Sequence, residues 1–283
     1  MIKKKTSWGH VSGWYDKLIE RGEDTYQKKV ILPNLLRLMD VKRGETVLDL
    51  ACGQGFFSRE LSKLGAHVIG ADISKELITL ARTHSPKGIQ FEVSPADNLS
   101  FLKNNSIDII VMVLAIQNIE NIDGVLKECG RVLKQNGRFF IAMNHPAFRI
   151  PKESSWGWDQ KLNLPAARLP NEHGQATRLS AVSAQADGSA AQVGMQYRRV
   201  DRYLSEVTSK IVMNPGARTS VHTISFHRSL QFYFKKFFKN GFAVTRLEEW
   251  ISHRKSEKGP RAIAEDHARK EIPLFLCLEI KKL

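Results

Sequence analysis

Ten consecutive residues, Val47-Leu48-Asp49-Leu50-Ala51-Cys52-Gly53-Gln54-Gly55-Phe56, carry the strongest chemical signal in this chain. An apolar run ends in a turn of small residues, and a helical pattern begins at once. Glycines in such a turn adopt backbone torsions closed to other residues and let a ligand approach the main chain. Asp72 closes the next apolar run, 19 residues beyond Gly53. A carboxylate there can accept both hydroxyl hydrogens of a ribose, in the crevice where open α/β sheets bind their ligands.

These features suit either a dinucleotide or another adenosine cofactor. A dinucleotide fingerprint reads G-x-G-x-x-G, and here the third glycine position is Ser58. Asp49 discriminates further. A carboxylate beneath the glycine turn attracts a cationic amino group and repels a pyrophosphate. Each acid also has a plain structural reading, Asp49 as a loop cap and Asp72 as a helix cap.

The elements that must position these groups alternate along the first half. TVLDLA (46–51), HVIGAD (67–72), IQFEV (89–93), IDIIVMV (107–113) and RFFIAM (138–143) are short β-branched or apolar runs, as expected of buried parallel strands. Helical patterns lie between them: 56–64, 74–83 with Ser74 as N-cap, and 121–134 stopping at Asn136-Gly137. Repeated βα units predict an α/β fold with a doubly wound sheet and right-handed crossovers. Ahead of the first strand, 25–40 reads as an amphipathic helix in which Pro33 marks a kink or the first turn of a second helix.

Residues 150–225 break the alternation. Trp156 and Trp158 flank a glycine, the stretch 176–194 is rich in Ala, Ser, Gln and Gly and reads as weakly structured, and 197–213 suggests a hairpin. The spacing then predicts a helix over 225–240 with Leu230, Phe234, Phe237 and Phe238 facing inward, and two last strands at 241–250 and 273–280.

The chain has 283 residues, 42% hydrophobic and 25% charged, enough to bury a core without disulfides or metals. Three cysteines with no CxxC pair argue against a disulfide framework or a zinc module, and point to a reducing cytoplasm. The N-terminal MIKKKTSWGHVSGWYD has no apolar segment of a secretory signal, and 107–116 is too short to span a membrane, so a soluble cytoplasmic protein is expected. Metal-ligand spacing such as H-E-x-x-H does not occur, so no metal is expected. Net charge is +14. The excess concentrates in 198–283, where 18 Lys and Arg face 9 Asp and Glu. That balance admits a polyanionic partner such as RNA, although a solvated surface is the simpler reading.

VLDLACGQG followed by Asp72 resembles the class I S-adenosylmethionine-dependent methyltransferases. NNSIDIIVMVLAIQNIEN and ECGRVLKQNGRFFIAM are similar to that family's fourth strand, the helix ending in R-V-L-K, and the fifth strand. The likeness covers roughly 25–145 and returns at 226–283. It implies a Rossmann-like seven-stranded sheet with an inserted substrate cap. The corresponding division is an N-terminal helical lid segment (1–45), a cofactor-binding core (46–149), a cap (150–225), and a C-terminal part completing the core (226–283).

The resemblance further implies that Asp49, Ala51, Cys52, Gly53 and Gly55 surround the methionine part of S-adenosylmethionine. Asp72 would bind the ribose, Ile73 would pack on the adenine, and Ala96 and Asp97 would sit at its edge. Leu114 and Gln117 would close the pocket beside the sulfonium. Many relatives have an acid where this chain has Pro95, which leaves Asp97 or the backbone to hold the adenine amino group. Trp8, Trp14 and Tyr15 would form a lid, with Tyr15 touching the cofactor. For an acceptor that must lose a proton, His145 after the fifth strand and His227 are the candidate bases.

The implied activity is transfer of a methyl group to a small-molecule acceptor by in-line displacement, in a layout similar to quinone-biosynthesis enzymes. Trp156, Trp158 and 196–226 would shape a pocket for an aromatic or lipophilic acceptor. An RNA or protein methyltransferase is the alternative suggested by the basic C-terminal third. The fourth strand, however, is followed by LAIQN and not by N/D-P-P-Y/F, and no Pro-Cys nucleophile follows it. A non-catalytic cofactor-binding protein is the remaining alternative.

Overall fold

A computed structural model describes residues 7–159, 168–170, 176–178, 194–214 and 220–283. The chain opens with a 3-10 turn, Ser7–Val11, and α1, Ser12–Arg21. A π-helical turn, Gln27–Ile31, then runs into α2, Leu32–Met39. Pro33 lies in the first turn of α2, where its missing N–H costs least, so the proline starts a helix and does not kink one.

The α/β core follows: β1 (Thr46–Leu50), α3 (Phe56–Ser62), β2 (His67–Asp72), α4 (Lys75–His84), β3 (Gln90–Val93), β4 (Ile107–Val113), α5 (Ile122–Val132) and β5 (Leu133–Asn144). Ser74 caps α4 by accepting the Leu77 N–H, and Asn121 caps α5 by accepting that of Gly124. The fifth strand starts five residues before the expected point. Leu133 pairs with Ile107, and the Val132 carbonyl accepts the Ser106 N–H, so the end of the R-V-L-K pattern is already strand.

Next come β6 (Ser154–Asp159), β7 (Arg168–Pro170), β8 (Ala176–Arg178), β9 (Met195–Val200), β10 (Val207–Val212) and β11 (His222–His227). The chain closes with α6 (Leu230–Lys239), β12 (Phe242–Trp250), α7 (Ala262–Glu271) and β13 (Phe275–Lys282). Most of 176–194, expected to be weakly structured, lies outside the described residues.

Seven strands form one sheet in the order β12-β13-β5-β4-β1-β2-β3. β1 to β5 are mutually parallel, and β13 enters antiparallel between β5 and β12. The doubly wound class expected from the sequence is the one observed. Alternation along β1 divides the core between the two faces of the sheet. Val47 packs with Ile109, Val111 and Phe140 on one face, and Leu48 and Leu50 pack with Ile110, Met112 and Phe139 on the other. Strand order reverses between β1 and β4, which opens a crevice at their carboxyl ends.

Two expectations fail in the later elements. Residues 197–213 form no hairpin: β9 pairs with β6 and β10 pairs with β11, both antiparallel. The expected helix over 225–240 starts only at Leu230, since 222–227 is strand, with Ser229 accepting the Phe232 N–H. Its inward face is Tyr233 and Phe237, while Phe234 and Phe238 are 40% and 75% exposed. Ser229 fixes where the helix begins; Leu230 and Phe237 face the core as expected, and Tyr233 takes the place expected of Phe234 and Phe238. Cys52, Cys129 and Cys277 are all buried free thiols.

Candidate active site

The turn after β1 is built from unusual backbone. Ala51, Gly53 and Gly55 all have positive φ, at 61°, 57° and 82°. A Cβ on Gly55 would stand 3.0 Å from the Phe91 ring and 3.1 Å from Ala81, so strain and crowding both demand glycine. Asp72, at the end of β2, holds this turn in place. One carboxylate oxygen accepts the Gly53 N–H at 3.0 Å, and the other accepts the Ser74 N–H at 2.8 Å. The group is 8% exposed, and burial pushes its pKa up against the opposing effect of these backbone bonds. Each oxygen still has a lone pair to offer, and hydroxyl donors from a ligand would stabilise the charge.

Asp72 and Gly53 open onto a cavity of about 670 Å³. Its remaining walls include Trp8, Trp14, Tyr15 and Leu18 of the N-terminal helices, Leu114 and Gln117 after β4, the loop after β5, and strands β9, β10 and β11. Leu114 has φ 52° while its N–H bonds the Ala142 carbonyl, a strained conformation set by the end of the sheet. Gln117 donates its amide to the Leu114 carbonyl at 2.7 Å, and its buried Oε1 has no hydrogen-bond partner among the described residues. Tyr15 meets Trp8 edge-on at 5.4 Å and stands beside Gly53, within 3.6 Å of where a Cβ would be. Burial, with the charges of Asp72 and Asp49, pushes its phenol up to about 12, so it is neutral.

Residues 48–141 match the methyltransferase domain family. The core of this chain is similar to a methyltransferase domain. Among curated proteins, a demethylmenaquinone methyltransferase of Tropheryma whipplei is 35% identical over 113 residues, 39% of this chain and 46% of that protein. A ubiquinone biosynthesis O-methyltransferase of Pelagibacter ubique is 35% identical over 99 residues, 34% of this chain and 40% of that protein. The chain thus spans less than half the length of these relatives. A solved S-adenosylmethionine-dependent methyltransferase from Mesorhizobium loti superposes with a TM-score of 0.60 at 23% identity, covering 88% of this chain and 96% of that one.

The cavity brings together Trp8, Trp14, Tyr15, Ala51, Gly53, Asp72, Ile73, Leu114 and Gln117. The other cofactor candidates, Asp49, Cys52, Gly55, Ala96 and Asp97, do not line it. Asp49 is 1% exposed beneath the turn and accepts the Ser58 hydroxyl at 2.6 Å. Burial pushes its pKa up to about 7. Cys52 and Gly55 support the turn from behind, packed with or against Phe91 and Ala81. Asp97 accepts the Asn121 amide at 2.8 Å, and Ala96 packs on the core.

Neither histidine faces the cavity. His145, 2% exposed, accepts the Ala147 N–H at Nδ1 and pairs with Glu249 through Nε2 at 2.7 Å. His227 directs Nε2 to the Tyr203 carbonyl at 2.8 Å and borders a recess of about 40 Å³. Burial pushes both pKa values down. Trp156 and Trp158 also lie off the cavity, stacked with Arg198 and Arg261.

Sequence reasoning missed Arg149, Lys152 and Arg198, all of which line the cavity. A signal for Arg198 exists in β9, where it is in phase with Gln196 and Val200 and is partly buried, while Arg199 is exposed. Arg149 carries no such mark in its loop. Among the described residues no cluster of His, Cys, Asp and Glu could hold a metal ion, and no helix is long and apolar enough to cross a membrane.

Proposed function

We propose that this chain is an S-adenosylmethionine-dependent methyltransferase acting on a small-molecule acceptor. One observation carries the reading: the glycine turn and Asp72 open into the same cavity that the inserted strands β10 and β11 wall off. The residues present fit the cofactor. Asp72 has lone pairs for the ribose hydroxyls, Ile73 offers an apolar face, and Gln117 Oε1 is a buried acceptor in want of a donor.

Bound there, S-adenosylmethionine supplies an electrophilic methyl carbon that an acceptor lone pair takes, the C–S bonding pair leaving with sulfur. The chain's own part is placement and exclusion of water, which supply much of the acceleration in such a transfer. Tyr15 and Trp8 cover the glycine turn, and Ile211, Met213, Thr223 and Ser225 close the acceptor side. Aromatic and aliphatic walls suit an aromatic or lipophilic acceptor, in keeping with relatives named for quinone biosynthesis.

Calorimetric titration with S-adenosylmethionine, and with NAD in parallel, tests the reading. Micromolar binding of the first and none of the second is expected. Asp72→Asn should weaken binding about a hundredfold, because charge-assisted hydrogen bonds of about 1.5–3 kcal/mol each are lost. Binding of NAD alone refutes the assignment.

A further inference from the structure

Three cations share the cavity with Asp72: Arg149 and Lys152 from the loop after β5, and Arg198 from β9. Arg198 is held in place. Its Nε donates to the Phe148 carbonyl at 2.8 Å, its Nη2 donates to the Ser154 hydroxyl at 2.8 Å, and its guanidinium lies over the Trp156 ring at 5.1 Å. Ser154 is itself fixed, accepting the Ile150 N–H and donating to the Ile150 carbonyl, both at 3.0 Å. Arg198 is therefore docked against the loop that carries Arg149.

Arg149 has no such anchors. Among the described residues its side chain makes no hydrogen bond and no ion pair, and it is exposed where it lines the cavity. Burial, with the charge of Arg149, pushes the pKa of Arg198 down. The nearby acids are committed elsewhere: Glu153 to Arg202, and Asp72 to the glycine turn. Two guanidinium groups on one cavity wall, unmatched by a carboxylate, repel each other, and an anion between them relieves that repulsion.

We propose that the methyl acceptor carries an anionic group, a carboxylate or a phosphate, received by Arg149 and Arg198 with Lys152 beside them. The proposal rests on the methyltransferase reading above and adds the acceptor's charge. Guanidinium forks bind either anion bidentately, with a geometric selectivity that a single ammonium lacks.

The test is calorimetric titration of the full chain with benzoate, phenyl phosphate and uncharged benzamide, with and without saturating S-adenosylhomocysteine. At least one anion should bind tenfold or more tightly than benzamide, and the stronger of the two identifies the group. Arg149→Met and Arg198→Met should each lower anion affinity at least tenfold, with S-adenosylhomocysteine affinity within threefold of wild type. Lys152→Gly should lower anion affinity a few-fold. Because Lys152 is exposed at φ 64°, glycine there relieves strain, and this variant serves if an arginine variant fails to fold. Equal binding of benzamide, or anion affinity unchanged in the variants, overturns the proposal. So does loss of S-adenosylhomocysteine affinity in the arginine variants, since the cations would then hold the cofactor's own carboxylate. A wild-type chain that binds the anions but not S-adenosylhomocysteine would instead break the methyltransferase reading.

Discussion

Asp49 should make cofactor binding pH-dependent in a way that can be counted in protons. Its carboxyl is buried with one hydroxyl donor, Ser58, and burial, reinforced by the charge of Asp72, raises its pKa from 3.8 to about 7. In the free protein at pH 6 it therefore holds about 0.9 of a proton, and at pH 7 about half. A ligand ammonium placed over the glycine turn favours the ionised form and expels that proton. Affinity for S-adenosylhomocysteine should then rise about 15-fold between pH 5.5 and pH 7. The ligand's own ammonium stays charged over this range, because α-amino groups titrate near 7.7 or above.

Calorimetry in buffers of different ionisation heat gives the proton count directly. Asp49→Asn keeps the shape and the Ser58 contact, so its binding should be flat with pH and release no proton. The same shift has a stability consequence of fixed sign. A carboxyl whose folded pKa is raised stabilises the fold below its unfolded value, near pH 4, and that contribution is lost as pH rises through about 7. Across that window the free wild type should lose stability relative to Asp49→Asn by an amount of order 4 kcal/mol. Binding that releases no proton at pH 6, or an Asp49→Asn variant that still releases one, refutes the reasoning.

Two further perturbations bear on the turn and on the histidine. Gly55→Ala places a methyl within 3.1 Å of Phe91 and Ala81 at φ 82°, and should cost about 2–3 kcal/mol in denaturant unfolding. A cost under about 0.5 kcal/mol would mean that the turn is not held as described. His145→Gln should cost about 1–2 kcal/mol of stability, through its bonds to Ala147 and Glu249, and leave kcat within about twofold. A tenfold fall in kcat at unchanged KM would return His145 to the chemistry.

What could be read from the sequence follows how local each feature is. The glycine turn and its helix lie within ten residues, and Asp72 ends a strand whose neighbour is β1, so torsion and alternation alone locate them. Residues 150–225 are different. β6 pairs with β9 across a long intervening stretch, and no local pattern sets that register. His145 illustrates the boundary. Its place after β5 was legible, but its direction depends on Glu249, 104 residues away, and on the docking of β12 through β13. Phe234 and Phe238 show the same limit in a helix: aromatic spacing suggested a face, and the Ser229 cap with the packing of Tyr233 set another.

The cavity's composition narrows the chemistry it can perform. Among the described residues that line it, Asp72 is the one carboxylate and there is no histidine. Asp72 is bound to the glycine turn, and Tyr15 is neutral with its phenol pushed up to about 12. No lining acid or imidazole is thus free to take a proton from an acceptor. The cations can do that work from the other side. A guanidinium about 5 Å from an ionising oxygen stabilises the anion by about 3 kcal/mol at an effective dielectric constant of 20, equivalent to about two pKa units. An acidic acceptor held beside Arg149 and Arg198 would therefore present its nucleophile already ionised near neutral pH. On the proposed function, alignment by the walls with charge supplied by two arginines would serve the transfer without a general base.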